Sequence, residues 1–317
     1  MQHNNLNFIR ILMIELLINN LRHNKTFLSL ETTPMHEASF EPIIEKIRDF
    51  GLHHKIDAFS TTDNPLARLK YNSLFGALKL QNSFQKPVIA TMSMRDRNKI
   101  ALQSDLLGAN DHNLRSILCL TGDAAHASDQ PNPKGVFEGN STLLLDMIKC
   151  FNSGMDYSGK PFKIPPKPIC PFAVCNAYAN TPKNLMKKMA TKIHHGAVGI
   201  ITQPVYSEEN ASMLLELLKE AHESIGHHGE KTELILGFFP IVRLRTAQFL
   251  ASHVPGVHIP DTWMEQLTSA KKISDQEERK VGLELSVETF QKLKKIHPKI
   301  HLMSANNFEL IADILNH

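Results

Sequence analysis

The sequence predicts an α/β fold, specifically a (βα)8 TIM barrel with an extra N-terminal helix. Short apolar strand patterns alternate with helical patterns eight times along nearly the whole chain, which is typical of a parallel sheet closed by helices. The 317 residues accommodate one such barrel, for which ~250 residues are typical, or two ordinary domains. Neither G-x-G-x-x-G after the first strand nor G-x-x-x-x-G-K-[ST] occurs, so a Rossmann domain or a P-loop has no support.

The first predicted element is an amphipathic helix in residues 8–21. Arg10 and Glu15 interrupt this apolar segment, which is too short to span a bilayer and is not followed by a small-residue cleavage site. We therefore expect residues 1–25 to form a helical extension packed beneath the barrel. Residues 26–317 are expected to form a single (βα)8 barrel catalytic domain.

Each predicted strand is a short apolar run that ends in polar or turn-forming residues. Strand one (27–31) ends at Glu31, before a Thr-Thr-Pro turn. The later strands are predicted at 56–61, 87–93, 115–121, 172–178, 197–203, 233–240 and 299–304. Helices are predicted at 40–51, 67–80, 182–195, 207–225, 243–253 and 276–296, with others ending near 107, spanning 143–148 and closing the chain. The irregular stretch 152–168 is interpreted as an excursion within one barrel, because the alternation resumes after it.

Composition and charge indicate a globular protein that does not bind nucleic acid. Hydrophobic residues make up 42% and charged residues 21%, and the net charge of +3 includes no basic block. The four cysteines form no C-x-x-C pair and the adjacent histidines point in different directions, so we predict neither a disulfide scaffold nor a metal site. A reducing cytoplasmic location without membrane contact fits this composition. A homo-oligomer remains an open alternative.

Polar residues end several predicted strands, and in a parallel barrel these ends meet at one rim. The residues expected there are Glu31, Ser60, Thr61, Thr91, Asp123, Asn176, Gln203 and Ser304. One carboxylate among amides and hydroxyls suits proton transfer to a polar heterocycle, whereas a hard metal prefers several carboxylates. Glu31 and Asp123 together also permit glycoside hydrolysis. Lys192 is placed either to reach a cofactor phosphate or to lie in solvent with neighbouring lysines.

Several motifs resemble the catalytic barrel of the methylenetetrahydrofolate reductase family. The markers are SLETTP around Glu31, LTGD at strand four, ITQ at strand six, and FFPIVRLRTAQFLASHVPGVHIPDTW from strand seven onward. TDNPLA and MRDRNKIALQSDLLGA are similar to family members fused to homocysteine methyltransferases. The resemblance extends from about Phe27 to the end of the chain.

The resemblance implies hydride transfer from NAD(P)H to FAD and from the flavin to 5,10-methylenetetrahydrofolate, giving 5-methyltetrahydrofolate for one-carbon metabolism and methionine biosynthesis. Glu31 matches the family's general acid, which protonates the folate N10. Asp123 matches an aspartate with catalytic, folate-binding and flavin-binding roles, and Gln203 and Leu244 match substrate contacts. The positions that match flavin contacts are Ser60, Thr61, Thr91, Thr121, Gly122, Asp123, Asn176 and Lys192.

The chain departs from the family pattern at several of these positions. Thr91 replaces a usual histidine, Thr121 an arginine, Leu244 an aromatic residue, and Asn307 an arginine that contacts folate. The missing charge and stacking surface are each typically worth about 1 kcal/mol or more. The candidates to compensate for the charge are Arg95, Arg97 and Arg243.

Two other functions fit the same residues. One is a flavin-free folate- or corrinoid-linked methyl-transferring barrel, which predicts folate affinity without flavin absorbance. The other is a non-catalytic barrel subunit of a redox complex. A partner protein as the electron donor is an alternative to NAD(P)H.

Overall fold

The computed structural model describes residues 13–23, 26–226 and 231–317. Within these ranges, eight parallel strands form a closed barrel in chain order, so the predicted (βα)8 fold class is confirmed. The strands are β1 (Phe27–Thr32), β2 (Ala58–Thr61), β3 (Val88–Ser93), β4 (Ser116–Leu120), β5 (Cys170–Cys175), β6 (Gly199–Pro204), β7 (Glu233–Phe238) and β8 (Lys299–Leu302).

The α-helices lie at the amino-terminal end and around the outside of this barrel. They are α1 (Met13–His23), α2 (Glu41–Asp49), α3 (Ser73–Phe84), α4 (Lys99–Asp111), α5 (Ser141–Asn152), α6 (Pro182–His194), α7 (Glu208–Ser224), α8 (Leu244–His253), α9 (Asp261–Ile273), α10 (Asp275–Ile296) and α11 (Phe308–Asn316). No helix in the described ranges has an apolar stretch long enough to cross a membrane.

Strand alternation determines which side chains enter the barrel, because successive residues of a strand point to opposite faces. In β8, Ile300 and Leu302 pack in the layer between the sheet and the outer helices, while His301 faces the interior. In β1, Leu30 packs outward and Glu31 faces inward. The phase of each strand therefore decides whether a polar residue at its end reaches the interior.

Helix α1 closes the amino-terminal end of the barrel. Leu17 and Leu21 are fully buried, and each such leucine contributes roughly 1.5–3 kcal/mol relative to exposure. They belong to one apolar cluster with interior side chains of seven strands, namely Phe27, Ala58, Ile89, Leu118, Phe172, Ile201 and Ile235. The predicted helix beneath the barrel is confirmed for residues 13–21, whereas its first residues, 8–12, lie outside the described ranges.

Helix α3 begins later than the sequence pattern predicts. The Asn72 side chain accepts hydrogen bonds from the Leu74 and Phe75 amides, so the helix starts at Ser73 and not at residue 67. An asparagine in this position satisfies backbone donors that would otherwise lack partners at the helix end. Residues 62–72 consequently form a loop, called here the β2 loop, which passes over the carboxyl end of the barrel.

The irregular stretch after α5 is anchored to the outer helices. Asn110 of α4 donates to the Lys167 carbonyl and accepts from the Lys167 amide, at 2.7 and 3.0 Å. Asn152 makes the equivalent pair of hydrogen bonds with Ile169, at 2.9 and 2.8 Å. These contacts fix the end of the segment that connects α5 to β5 against α4 and α5.

Candidate active site

A cavity of about 610 Å³ opens at the carboxyl ends of the strands. Inward strand residues, the β2 loop, the loop after β4 and the first turn of α5 form its walls. Most of the predicted site residues line it: Glu31, Thr91, Thr121, Gly122, Asp123, Asn176, Lys192 and Gln203. The barrel thus brings together side chains that are spread over more than half of the sequence.

Four residues predicted for the rim or site lie outside the cavity wall. Ser60 faces the interior one layer below, with its Oγ 3.5 Å from His301 Nε2. Thr61 points outward and donates to the Ser73 carbonyl, at 3.1 Å. Leu244 starts α8 and lines a separate pocket beside Arg243, and the buried Ser304 does not line the cavity.

The residue that follows β2 supplies the cavity side chain at this strand end. Thr62 lines the cavity, two residues after the inward-facing Ser60, as strand alternation requires. Of the two residues predicted at this strand end, Ser60 therefore has the inward phase and Thr61 has the outward one.

His301 is a cavity residue that the sequence reading missed. It is 2% exposed, its Nδ1 lies 2.8 Å from Ser29 Oγ, and its Nε2 lies 3.8 Å from Glu31 Oε2. When Ser29 donates to Nδ1, the Nε2–H points toward Glu31. The signal for His301 was the alternation of β8, because an outward phase for the apolar Ile300 and Leu302 places His301 inward.

Glu31 lines the cavity, and its carboxyl group is accessible from the cavity. Its side chain is 22% exposed, so a ligand can reach it, while His301 borders it on the barrel side. A carboxyl group that is partly desolvated and beside an imidazole is suited to proton transfer.

Asp123 is fixed at the mouth by the β2 loop. Its Oδ2 accepts from the Leu66 amide at 2.6 Å, whereas Oδ1 faces no hydrogen-bond donor in the described chain. Asn64, Leu66 and Ala67 adopt φ values of 45°, 56° and 55°, and such left-handed residues cost roughly 1–2 kcal/mol each. The hydrogen bond to Asp123 helps to hold this strained loop against the mouth.

A buried ion pair supports the same wall from behind. Asp63 accepts from Arg97 Nη1 at 2.6 Å and from the Ser93 amide at 2.9 Å. Burial alone would lower the pKa of Arg97, but the charges and hydrogen bonds of Asp63 and Asp105 hold it above its usual value. The pair ties the β2 loop to the end of β3.

The opposite wall presents a cationic site. The Lys192 ammonium donates to Ser141 Oγ, and Ser141 is the first residue of α5. The Ser141 amide donates to Thr121 Oγ1 at 3.1 Å. A lysine beside a helix amino terminus favours an anionic ligand such as a phosphate, and burial lowers the pKa of Lys192.

Three further polar side chains of the wall have no hydrogen-bond partner among the described residues. Thr62 Oγ1 and Ser93 Oγ are buried without a hydrogen-bond partner in the described chain, and both residues line the cavity. Gly122 has φ +93°, and a Cβ there would come within 2.9 Å of the Arg95 Cβ. The Gln203 side-chain amide likewise forms no hydrogen bond with the described residues. These groups fit a polar heterocycle, with the cationic site available for an attached phosphate.

Cys175 lines the cavity but is expected to be chemically inert. Burial raises its pKa to about 12 and raises the pKa of Cys119 further, so both thiols stay protonated near neutrality. We expect iodoacetamide at pH 8 to leave both residues unmodified in the native protein and to modify both after unfolding, as read by peptide mass spectrometry. Rapid native-state alkylation of Cys175 would contradict this and indicate a nucleophilic thiol.

The fold and cavity define a (βα)8 barrel with a ligand site at the carboxyl face of its sheet. The sequence profile of the methylenetetrahydrofolate reductase family matches residues 16–317, so the chain belongs to that family. No curated protein gives a significant sequence match.

Two solved structures illustrate the fold. An uncharacterized Clostridium thermocellum protein, described as binding two copies of 5-methyl-5,6,7,8-tetrahydrofolic acid, has 15% identity and a TM-score of 0.56, with 94% of this chain and 96% of that chain covered. DmoA from Hyphomicrobium sulfonivorans has 11% identity and a TM-score of 0.53, with coverages of 92% and 86%. At these identities the similarities show a shared fold.

Proposed function

We propose that this protein is a flavin-dependent oxidoreductase that reduces 5,10-methylenetetrahydrofolate to 5-methyltetrahydrofolate. The observation that carries the proposal is the meeting of Glu31, Asp123 and Gln203 around one cavity, with His301 beside Glu31. Membership of the methylenetetrahydrofolate reductase family supports this substrate. The folate bound by the Clostridium thermocellum protein supports it as well.

Glu31 acts as the general acid in this proposal. Its protonated carboxyl group donates a proton to the folate N10, the bond from the bridging carbon to N10 breaks, and the resulting N5 iminium is reduced by a hydride. His301, held by Ser29, is a positioning residue that orients the Glu31 carboxyl group. Because His301 is almost fully buried, it holds this orientation without competition from solvent.

Asp123 and Gln203 orient the pterin. Asp123 Oδ1 accepts hydrogen bonds from the pterin edge, while Oδ2 stays engaged with the Leu66 amide. The Gln203 amide offers both a donor and an acceptor, which suits a heterocycle that presents both. Together they fix the plane of the ring relative to Glu31.

FAD fits the groups that remain in the cavity wall. When bound, it supplies the hydride for the reduction. Lys192, Ser141 and the α5 amino terminus would hold its pyrophosphate, and the Thr62 and Ser93 hydroxyls would meet polar atoms of the ring system. NAD(P)H is the proposed source of electrons.

Replacing Lys192 by methionine is expected to weaken FAD binding by about tenfold or more, since a charge-assisted hydrogen bond to phosphate is lost. Wild-type affinity should fall as the pH rises through the pKa of Lys192, which burial places below the ordinary value of about 10.4. Flavin fluorescence quenching measures both effects. The exposed Lys183→Met variant on the same helix serves as the matched control.

The FAD titration, followed by an assay of product formation, tests the proposed function as a whole. Wild-type protein should take up FAD, acquire flavin absorbance and form 5-methyltetrahydrofolate when supplied with electrons and substrate. Folate binding without any flavin uptake would remove the redox reaction and favour the methyl-transferring alternative. If flavin reduction requires a co-purifying protein, that protein is the electron donor in place of NAD(P)H.

A further inference from the structure

The ladder between β6 and β7 is irregular near its carboxyl end. Ile201 of β6 pairs with Ile235 of β7. The next pair joins Pro204 to Gly237, so three steps along β6 match two steps along β7. β6 therefore contains one extra residue between these pairs, which is a β-bulge. Bulges are frequent beside active sites, where they redirect a side chain.

The bulge changes which side chains of β6 face the cavity. Before it, Ile201 belongs to the interior apolar cluster, and after it Val205 packs in the outer layer. Uninterrupted alternation would put both of these residues on the interior side. The change of phase falls between them, at Thr202 and Gln203, and both of these side chains line the cavity.

The Thr202 hydroxyl holds the bulge in place. Its Oγ1 accepts a hydrogen bond from the Gly237 amide at 2.8 Å and donates to the Gln203 carbonyl at 2.7 Å. In a regular parallel ladder, the amide of one strand donates directly to a carbonyl of the neighbouring strand. Here the hydroxyl is inserted between the two backbone groups. Because Thr202 is only 2% exposed, water does not compete for these hydrogen bonds.

Gly237 makes room for the bulge on the neighbouring strand. A Cβ at this position would lie 2.2 Å from the Thr202 carbonyl oxygen and 3.0 Å from the Gln203 carbonyl carbon. Both are backbone atoms, so they cannot rotate away as the end of a side chain could. The backbone of the bulge thus occupies space that a larger residue on β7 would need.

The Gln203 side chain depends on this backbone arrangement for its direction. Its amide group forms no hydrogen bond with the described residues, so no polar neighbour in that part of the chain orients it. The Gln203 carbonyl, in contrast, is held by the Thr202 hydroxyl. The orientation of the Gln203 side chain is therefore set through the bulge.

We infer that Thr202 is a positioning residue, whose hydroxyl clamps the β6 bulge and thereby directs the Gln203 amide toward the pterin. This inference rests on the proposed function, because it takes the pterin as the group that Gln203 binds. Thr202 acts only through Gln203. The role requires a hydroxyl, since one group must accept from the Gly237 amide and donate to the Gln203 carbonyl.

The test is a double-mutant cycle with Thr202→Val and Gln203→Ala, read as the affinity for 5-methyltetrahydrofolate in calorimetric titration. Thr202→Val keeps the size of the side chain but removes both hydrogen bonds, and it should weaken folate binding by about tenfold. Gln203→Ala should have a similar effect. The double variant should bind little more weakly than either single variant, because both changes remove the same contact. Thr202→Ser restores the hydroxyl and should bind folate within about threefold of the wild-type affinity.

Two further measurements separate positioning from a general structural role. FAD binding by Thr202→Val should stay within about twofold of wild type, because the proposed pyrophosphate contacts, Lys192 and Ser141, lie on α6 and α5. Thr232→Val is the matched control. The Thr232 hydroxyl is also buried and donates to the Ala197 carbonyl, at the amino-terminal ends of the same two strands. This variant should keep the wild-type folate affinity.

The outcomes that oppose the inference are distinct from those that oppose the proposed function. Additive losses in the cycle, equal weakening of FAD and folate binding, or full folate affinity in Thr202→Val would overturn the inference and leave the proposed function standing. Failure of the wild-type protein to bind the folate would overturn both. Thr202→Ala replaces Thr202→Val if the latter does not fold, since it removes the same hydrogen bonds without placing a methyl group against the Gly237 amide. Full folate affinity in Thr202→Ala would equally overturn the inference.

Discussion

Replacing Glu31 by glutamine is expected to slow reduction of 5,10-methylenetetrahydrofolate by at least ~10²-fold, while reduction of the flavin by its donor stays nearly unchanged. The amide preserves the shape of the side chain but cannot supply the proton that N10 needs. Only the folate half-reaction includes that proton transfer. Stopped-flow absorbance of the flavin measures the two half-reactions separately.

The control for this substitution is Glu37→Gln, which changes an exposed carboxylate a few residues after β1. It should leave both half-reactions at wild-type rates. Equal losses in the two half-reactions of Glu31→Gln would contradict the acid role and indicate a general disturbance of the site. His301→Asn offers a further distinction, because a positioning role predicts a changed pH profile of the folate step together with unchanged flavin reduction.

The largest loss of stability is expected from Asp63→Ala. Asp63 and Arg97 are both buried, with side-chain exposures of 2% and 10%, and removing Asp63 leaves the buried Arg97 with only the more exposed Asp105 as an ionic partner. Breaking such a buried pair typically costs about 3–5 kcal/mol. Denaturant unfolding monitored by circular dichroism measures the change in the free energy of unfolding.

An exposed ion pair provides the comparison. Glu288 and Lys292 are 2.7 Å apart on α10 and largely exposed, so Glu288→Ala should cost no more than about 1 kcal/mol. Adding Arg97→Met to Asp63→Ala should recover part of the loss, because the buried guanidinium that has lost its buried partner is then removed as well. A loss below 1 kcal/mol for Asp63→Ala would show that the pair is much less important than its burial suggests.

The barrel and much of its rim were predictable from the sequence because strand ends are local features. Glu31 and Gln203 each follow an apolar run and precede a turn, so their place at the mouth needs only the parallel barrel arrangement. The phase of a strand is less certain, since one residue decides between the interior and the outer layer. Thr61 and Thr62 are neighbours of the same residue type, yet Thr61 points outward and Thr62 lines the cavity.

Features that depend on the path of a loop could not be predicted in the same way. Ser141 reaches the cavity after a loop whose course depends on distant contacts, including the hydrogen bond between Leu66 and Asp123. His301 was missed for another reason, because its partner Ser29 is 272 residues away in the sequence. Such pairings exist only once β1 and β8 are neighbours.

Helix α1 has a consequence for the order of assembly. Its docking surface is built from the interiors of seven strands, and this surface is complete only when the sheet has closed. Helix α1 precedes all eight strands in the chain, so Leu17 and Leu21 reach their final environment only after the strands that bury them have been synthesised and have paired. Until then both leucines lack the apolar partners that bury them in the native protein, and exposed apolar side chains favour aggregation.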